Sequence, residues 1–241
     1  ARELQRFAGV VGGVRLRLHK QIPVGGGLGG GSSNAAAVLL ALDRLWRLGL
    51  GTPGLLPLAR RLGADVPFFL FGGTALGVSR GDEIYPLGTE IRAHVVLVAP
   101  EVPVSTAAVF HRLDAGLTPR ENGHSIYRFI SSDLEGQAQY GVLANELEEA
   151  ALEEAPVLRD QVKIIRRLLV REGALLAALS GSGSTYFGLF TSGPRAARAE
   201  AALVARGFRV KRARTLSLAS YRQSFRRALA IRGKNPRGRG R

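Results

Sequence analysis

The 241-residue chain contains no cysteine, which excludes disulfides and thiolate metal sites and fits a reducing compartment. It has no apolar run approaching the ~18 residues that a membrane-spanning helix needs. The opening Ala1-Arg2-Glu3-Leu4-Gln5-Arg6 is charged and lacks the apolar centre of a secretory signal. No membrane partner is therefore expected, and the cytoplasm is the expected location. Acids are scarce in one region only. From Arg195 to Arg241 there are fifteen Lys and Arg against one acid, Glu200, while the other 194 residues carry 19 basic and 18 acidic side chains. The net charge of +15 thus resides in the carboxy-terminal part, and the nearly neutral body lacks the charge footprint of a nucleic-acid binder. A hydrophobic content of 46% is enough for a packed core in one or two domains.

The stretch Lys20-Gln21-Ile22-Pro23-Val24-Gly25-Gly26-Gly27-Leu28-Gly29-Gly30-Gly31-Ser32-Ser33-Asn34 organises the rest. The strictly alternating Val14 to His19 runs into it, which predicts a half-buried strand. A helix predicted from Ala35 to Trp46 runs out of it, apolar nearly all round from Ala35 to Leu42, which predicts burial within its domain. Glycines between a strand and a helix let another molecule approach the backbone, and free N–H groups at a helix start attract anions. The stretch reads as a phosphate cradle. It is not a Walker A loop, because no Gly-Lys-Ser/Thr follows at the required spacing. Gly25, Gly27 and Gly30 match a dinucleotide fingerprint, but the acid at the right distance, Asp43, falls inside the predicted helix rather than at a strand end. Ser32 or Ser33 is expected to cap that helix.

Three separate stretches resemble one family. Pro23 to Ala36 is similar to the phosphate loop of the GHMP kinases. Gly63-Ala64-Asp65-Val66-Pro67-Phe68-Phe69 resembles the family's catalytic-aspartate segment, and Leu179-Ser180-Gly181-Ser182-Gly183-Ser184-Thr185-Tyr186-Phe187-Gly188 its third glycine motif. The resemblance covers about residues 1 to 220 and is strongest to the branch acting on a cytidine-diphosphate-linked methylerythritol in isoprenoid precursor biosynthesis. It implies an α+β protein of two domains: residues 1–88, a shortened nucleotide-binding domain like ribosomal protein S5, and residues 89–220, a ferredoxin-like domain. It also implies an ATP-dependent kinase with Mg²⁺ and a small-molecule alcohol as substrate. By resemblance, Asp65 aligns the acceptor hydroxyl. Lys20, Pro23, Val24, Gly25, Gly26, Gly27, Leu28, Gly29, Gly30, Gly31, Ser32, Ser33 and Asn34 hold the nucleotide. Gly181, Ser182, Gly183 and Ser184 position substrate, and no protein side chain is assigned to a metal. The two serines and a threonine around Gly181 and Gly183 exceed what a hairpin turn requires. Two rival readings stay open: another GHMP small-molecule kinase, and a noncatalytic nucleotide-binding protein with an RNA-contacting tail.

Other features are legible locally. Leu4 to Ala8 and Leu55 to Leu62 read as helices, and Thr74 to Leu87 as a hairpin around Arg80-Gly81-Asp82. His94 to Pro100 is a strand, with Ser105 capping the helix that follows. Thr118 to Tyr140 is polar and irregular. Asn145-Glu146-Leu147-Glu148 resembles a family Asn-Asp-Leu-Glu segment, and its acids, with Glu149, Glu153 and Glu154, read as a solvated face. From Pro156 the pattern is helix, strand, glycine motif, strand, helix, strand, so the second half is β-α-β-β-α-β apart from inserted helices. Residues 221–241, with eight cations and no acid, read as a disordered basic tail. The relatives open with a Pro-Ala-Lys-x-Asn strand and a Gly-Tyr-His segment, which supply a catalytic lysine, a cytidine-stacking tyrosine and a substrate-contacting histidine. Nothing before Lys20 matches these, so a sizeable amino-terminal part of the family's protein is expected to precede Ala1, and the chain alone is expected to be inactive.

Overall fold

The computed structural model describes residues 1–88, 90–115 and 143–228. Its contacts divide the chain into two units. The first contains residues 1–17, 31–90 and 216 onward; the second contains residues 18–30 and 91–215.

The first unit is built on α1 (Arg2–Ala8), α2 (Gly30–Leu45), α3 (Gly51–Leu62) and α4 (Phe68–Phe71), followed by the hairpin β1 (Ala75–Val78) and β2 (Glu83–Pro86). Ala36, Leu39 and Leu42 recur every three residues on α2, so one stripe of the helix is buried. They meet Leu4, Leu55, Leu58, Val66 and Leu70 in one core. The rest of α2 is only partly covered, so the expectation of burial all round holds for that stripe alone. Asp43 has a structural task at the end of α2: its carboxylate accepts from the N–H groups of Leu50 and Gly51, at 2.9 and 3.2 Å, where α3 begins. The hairpin pairs Val78 with Glu83 and Ala75 with Pro86, around the expected Arg80-Gly81-Asp82 turn. Buried Asp82 pairs with Arg80 at 3.1 Å, and its carbonyl accepts from Arg60 of α3.

The second unit is a four-stranded antiparallel sheet with helices. Its elements are β3 (His94–Ala99), α5 (Thr106–Ala115), α6 (Leu147–Glu154), α7 (Val157–Arg171), β4 (Leu176–Leu179), β5 (Tyr186–Phe190), α8 (Gly193–Val204) and β6 (Arg209–Arg214). The strand order β4-β5-β3-β6 is that of the split β-α-β-β-α-β unit, as the sequence pattern implies. Local signals explain the helices. Ser105 Oγ accepts from Ala108 N and Ser192 Oγ from Arg195 N, each an N-terminal cap. On α7, Leu158, Val162, Ile165 and Leu169 form one buried stripe against Val96, Val98, Tyr186 and Phe190 of the sheet.

Three expectations are corrected here. Val14 to His19 forms no strand, and no described strand pairs with it. A strand needs a neighbour for its backbone hydrogen bonds; without one, Leu16 and Leu18 lie 54% and 61% exposed, and only Val14 of the alternating set packs on the first core. The helix after the glycines begins at Gly30, so Ser32 and Ser33 are its third and fourth residues rather than caps, and Asn34 is its fifth. The tail does not begin at Tyr221: α9 (Leu218–Ala228) continues the ordered chain within the first unit. Its anchor is the Tyr221 hydroxyl, which donates to the Phe69 carbonyl at 2.6 Å while the ring fills the space beside Gly72. Burial pushes that hydroxyl up to about 12, so it stays a donor at any physiological pH. The rest of the basic tail, and the irregular stretch 118–140, lie outside the described residues.

Candidate active site

The glycine stretch folds back on itself and docks on the third glycine motif. Gly25, Gly27 and Gly29 have φ of 73°, 70° and 62°, angles that side-chain-bearing residues rarely adopt. At Gly27 the need for glycine is absolute. A Cβ there would stand 1.9 Å from the Ser180 carbonyl oxygen and 3.0 Å from Gly183 N. Ser180 Oγ donates to the Gly27 carbonyl at 2.9 Å, and Thr185 N to the Gly26 carbonyl at 3.3 Å. A Cβ on Gly26 would meet Thr185 Oγ1 at 2.8 Å, and one on Gly181 would meet the Gly27 carbonyl at 3.2 Å. Two glycine motifs more than 150 residues apart in sequence are therefore interlocked within one unit.

The loop then feeds α2. Gly31 and Ser32, its second and third residues, carry N–H groups with no carbonyl four residues back in the helix to accept them. A Cβ on Gly31 or on Gly25 would meet nothing within 4 Å, so space adjoins the backbone at both. Free helix-start N–H groups beside open space suit a phosphate. Of the other residues assigned to the nucleotide, Lys20, Pro23 and Val24 are exposed, and Lys20 has no ion pair among the described residues. Ser182 and Ser184 are buried, and Ser182 Oγ shares a 2.8 Å hydrogen bond with Thr106 Oγ1 at the start of α5. The residues that grip the first glycine loop are Ser180 and Thr185, at the edges of the expected set Gly181 to Ser184. Their excess of hydroxyls was the available signal.

Asp65 belongs to the first unit, in the turn between α3 and α4. Its neighbours Val66 and Pro67 are buried, and Val66 N donates to the Gly63 carbonyl at 3.1 Å. Asp65 itself is exposed, and its carboxylate has no hydrogen bond or ion pair among the described residues. An acid on so firmly held a turn is free to take a proton or orient a hydroxyl. Among the described residues no three His, Asp or Glu side chains converge as a metal cluster, and no helix is long and apolar enough to cross a membrane.

Comparison with known proteins places these features. Residues 1–73 match the family model for the GHMP kinase N-terminal domain, and residues 133–209 that for the GHMP kinase C-terminal domain. The chain is 41% identical over 203 residues to 4-diphosphocytidyl-2-C-methyl-D-erythritol kinase of Syntrophus aciditrophicus, covering 84% of this chain and 70% of that protein. The chain belongs to the GHMP kinases. The Geobacter metallireducens protein of the same name is 43% identical, over 80% of this chain and 65% of its own length. A crystal structure of 4-(cytidine 5'-diphospho)-2C-methyl-D-erythritol kinase superposes with a TM-score of 0.70 at 35% identity, covering 90% of this chain and 75% of that one. The chain thus spans about two thirds of the length of the curated relatives it matches. GHMP kinases are ATP-dependent small-molecule kinases, and the N-terminal model covers both the glycine cradle and Asp65.

Gly31 offers a test of the cradle that separates folding from binding. Alanine at an exposed helical position is favoured over glycine by ~1 kcal/mol, and there is room for its methyl group. Gly31→Ala should raise the melting temperature yet weaken ATP binding, because the methyl occupies the space a phosphate would enter. Calorimetric titration and a thermal melt of the same preparation check both signs; a stabilised variant with unchanged ATP affinity would move the phosphate elsewhere.

Proposed function

We propose that the chain is the greater part of a kinase that transfers the γ-phosphoryl group of ATP to the 2-hydroxyl of 4-(cytidine 5'-diphospho)-2-C-methyl-D-erythritol, in the cytoplasm. The observation that carries this reading is the 41% and 43% identity, over four-fifths of the chain, to kinases named for that substrate. Phosphoryl transfer asks the protein mainly for positioning and charge stabilisation. The N–H groups of Gly31 and Ser32 hold phosphate oxygens, and the interlock of Gly26 and Gly27 with Ser180 and Thr185 keeps the loop from shifting. Asp65 orients the acceptor hydroxyl and takes its proton as that oxygen bonds to the γ-phosphorus. The bond to the bridging oxygen breaks, and ADP leaves. Mg²⁺ neutralises phosphate charge when bound. Ser32 and Ser33, in the first turn of α2, are the residues that would offer it a hydroxyl.

Substrate choice is tested on a complete enzyme made by fusing a family-type amino-terminal segment to residues 1–241. ADP formation should depend on the cytidine-diphosphate alcohol and stay at background with homoserine or mevalonate. Comparable turnover with either of the latter would replace this reading with another GHMP kinase activity.

A further inference from the structure

The acids of the segment Asn145 to Glu148 do not all form a solvated face. The side chain of Glu148 is only 14% exposed, and with Asn145 it reaches the third glycine motif. β4 is an edge strand among the described residues, so the N–H and C=O of Leu179 that point away from β5 have no described strand to pair with. Asn145 Nδ2 donates to the Leu179 carbonyl at 2.9 Å and to the Gly181 carbonyl at 2.7 Å. Glu148 Oε2 accepts from Leu179 N at 3.4 Å. Two side chains thereby hold three backbone groups at the neck of the loop 180–185. They are themselves held. Asn145 Oδ1 accepts from Leu147 N at 3.1 Å, fixing which end of the amide donates. Glu148 Oε1 pairs with Arg166 at 2.6 Å, and Arg166 Nε donates to Tyr186 Oη at 2.7 Å. The Tyr186 hydroxyl closes the chain by donating to the Ala177 carbonyl at 3.0 Å on the same strand edge.

We infer that Asn145 and Glu148 are positioning residues for the nucleotide loop: they fix the loop 180–185, and that loop, through Ser180 Oγ and Thr185 N, fixes Gly27 and Gly26. The inference rests on the reading of the glycine stretch as the phosphate site. Its structural half, that the two side chains control the contact between the glycine motifs, can be tested without nucleotide. A surplus of held carbonyls at the neck leaves Ser180 and Thr185 one orientation, so that Gly27 is presented to phosphate in one conformation.

The test uses residues 1–241. Asn145→Asp keeps the size and the acceptor for Leu147 N but removes both donated hydrogen bonds; Glu148→Gln keeps the size but weakens the hold on Arg166. Amide hydrogen exchange at Thr185, whose N–H bonds the Gly26 carbonyl, reads the loop contact. Exchange at core positions Ile165 and Val96 reads global stability, and calorimetry reads ATP affinity. In Asn145→Asp, Thr185 exchange should accelerate roughly tenfold or more while the core amides are unchanged, and ATP affinity should fall by a similar factor. Glu148→Gln should move the same two readouts in the same direction by less. Unchanged Thr185 exchange in both variants would overturn the inference, as would uniform acceleration at Thr185 and the core in both, which marks a merely structural role. Accelerated Thr185 exchange in a chain whose unsubstituted form binds no ATP would uphold the positioning of the loop and overturn its assignment to nucleotide.

Discussion

Gly27→Ala is expected to weaken ATP binding by on the order of 10²-fold while leaving the helical and strand content intact. Two costs combine. The backbone at Gly27 has φ of 70°, which disfavours any Cβ, and holding a non-glycine residue in a sparsely populated region costs ~1–3 kcal/mol. The added methyl also lands 1.9 Å from the Ser180 carbonyl oxygen, a backbone atom that cannot rotate aside. The loop must leave the third glycine motif, losing the bonds from Ser180 Oγ and Thr185 N. Neither packed core involves Gly27, so circular dichroism should be unchanged. Calorimetry on the variant decides the matter; near-native ATP affinity would show that the interlocked loops are not the nucleotide site.

The second large effect concerns Asp65. In a complete enzyme, Asp65→Asn should leave ATP affinity within about twofold and lower kcat by roughly 10²–10⁴, the usual contribution of a positioned proton acceptor. The amide keeps the shape and can still accept a hydrogen bond, but it takes no proton. Asp65 is exposed and unpaired among the described residues, so its replacement should not lower the melting temperature. Steady-state kinetics with saturating ATP distinguish the outcomes. A variant that retains most of the wild-type rate would reduce Asp65 to a turn residue between α3 and α4.

Much of the second unit could be read from sequence because its signals are local. An unbroken apolar, β-branched run marks β3, Ser105 marks the start of α5, and the stripe Leu158, Val162, Ile165 and Leu169 gives the period of α7. What could not be read depends on distant partners. The alternation of Val14 to His19 is real, but a strand exists only when another strand takes its hydrogen bonds, and none of the described strands does. Glu148 looks like one acid among several on a surface helix; its task appears only once β4 is known to lie at a sheet edge. The basic residues after Ser220 suggest a tail by composition, yet one tyrosine hydrogen-bonded to Phe69 fastens the helix that Arg222, Arg226 and Arg227 occupy. The pairing of Gly27 with Ser180 spans 153 positions and follows from no local rule, although glycine at both motifs and hydroxyls around one of them are the residues such a contact requires.

The measurement that bears most directly on the account is ADP formation with 4-(cytidine 5'-diphospho)-2-C-methyl-D-erythritol, by residues 1–241 alone and by the same residues fused to a family-type amino-terminal segment. The chain contains the proposed phosphate cradle and acid, but nothing before Lys20 matches the lysine that the family resemblance implies, and one stabiliser of phosphoryl charge is worth ~10²–10³ in rate. Groups resembling those that would grip the cytidine are missing from the same stretch, so positioning of the alcohol should fail separately. The account predicts background turnover for residues 1–241 and substrate-dependent ADP release by the fusion, abolished again by Asp65→Asn. Robust substrate-dependent ADP release by residues 1–241 alone, or none by a folded fusion that binds ATP, would contradict it.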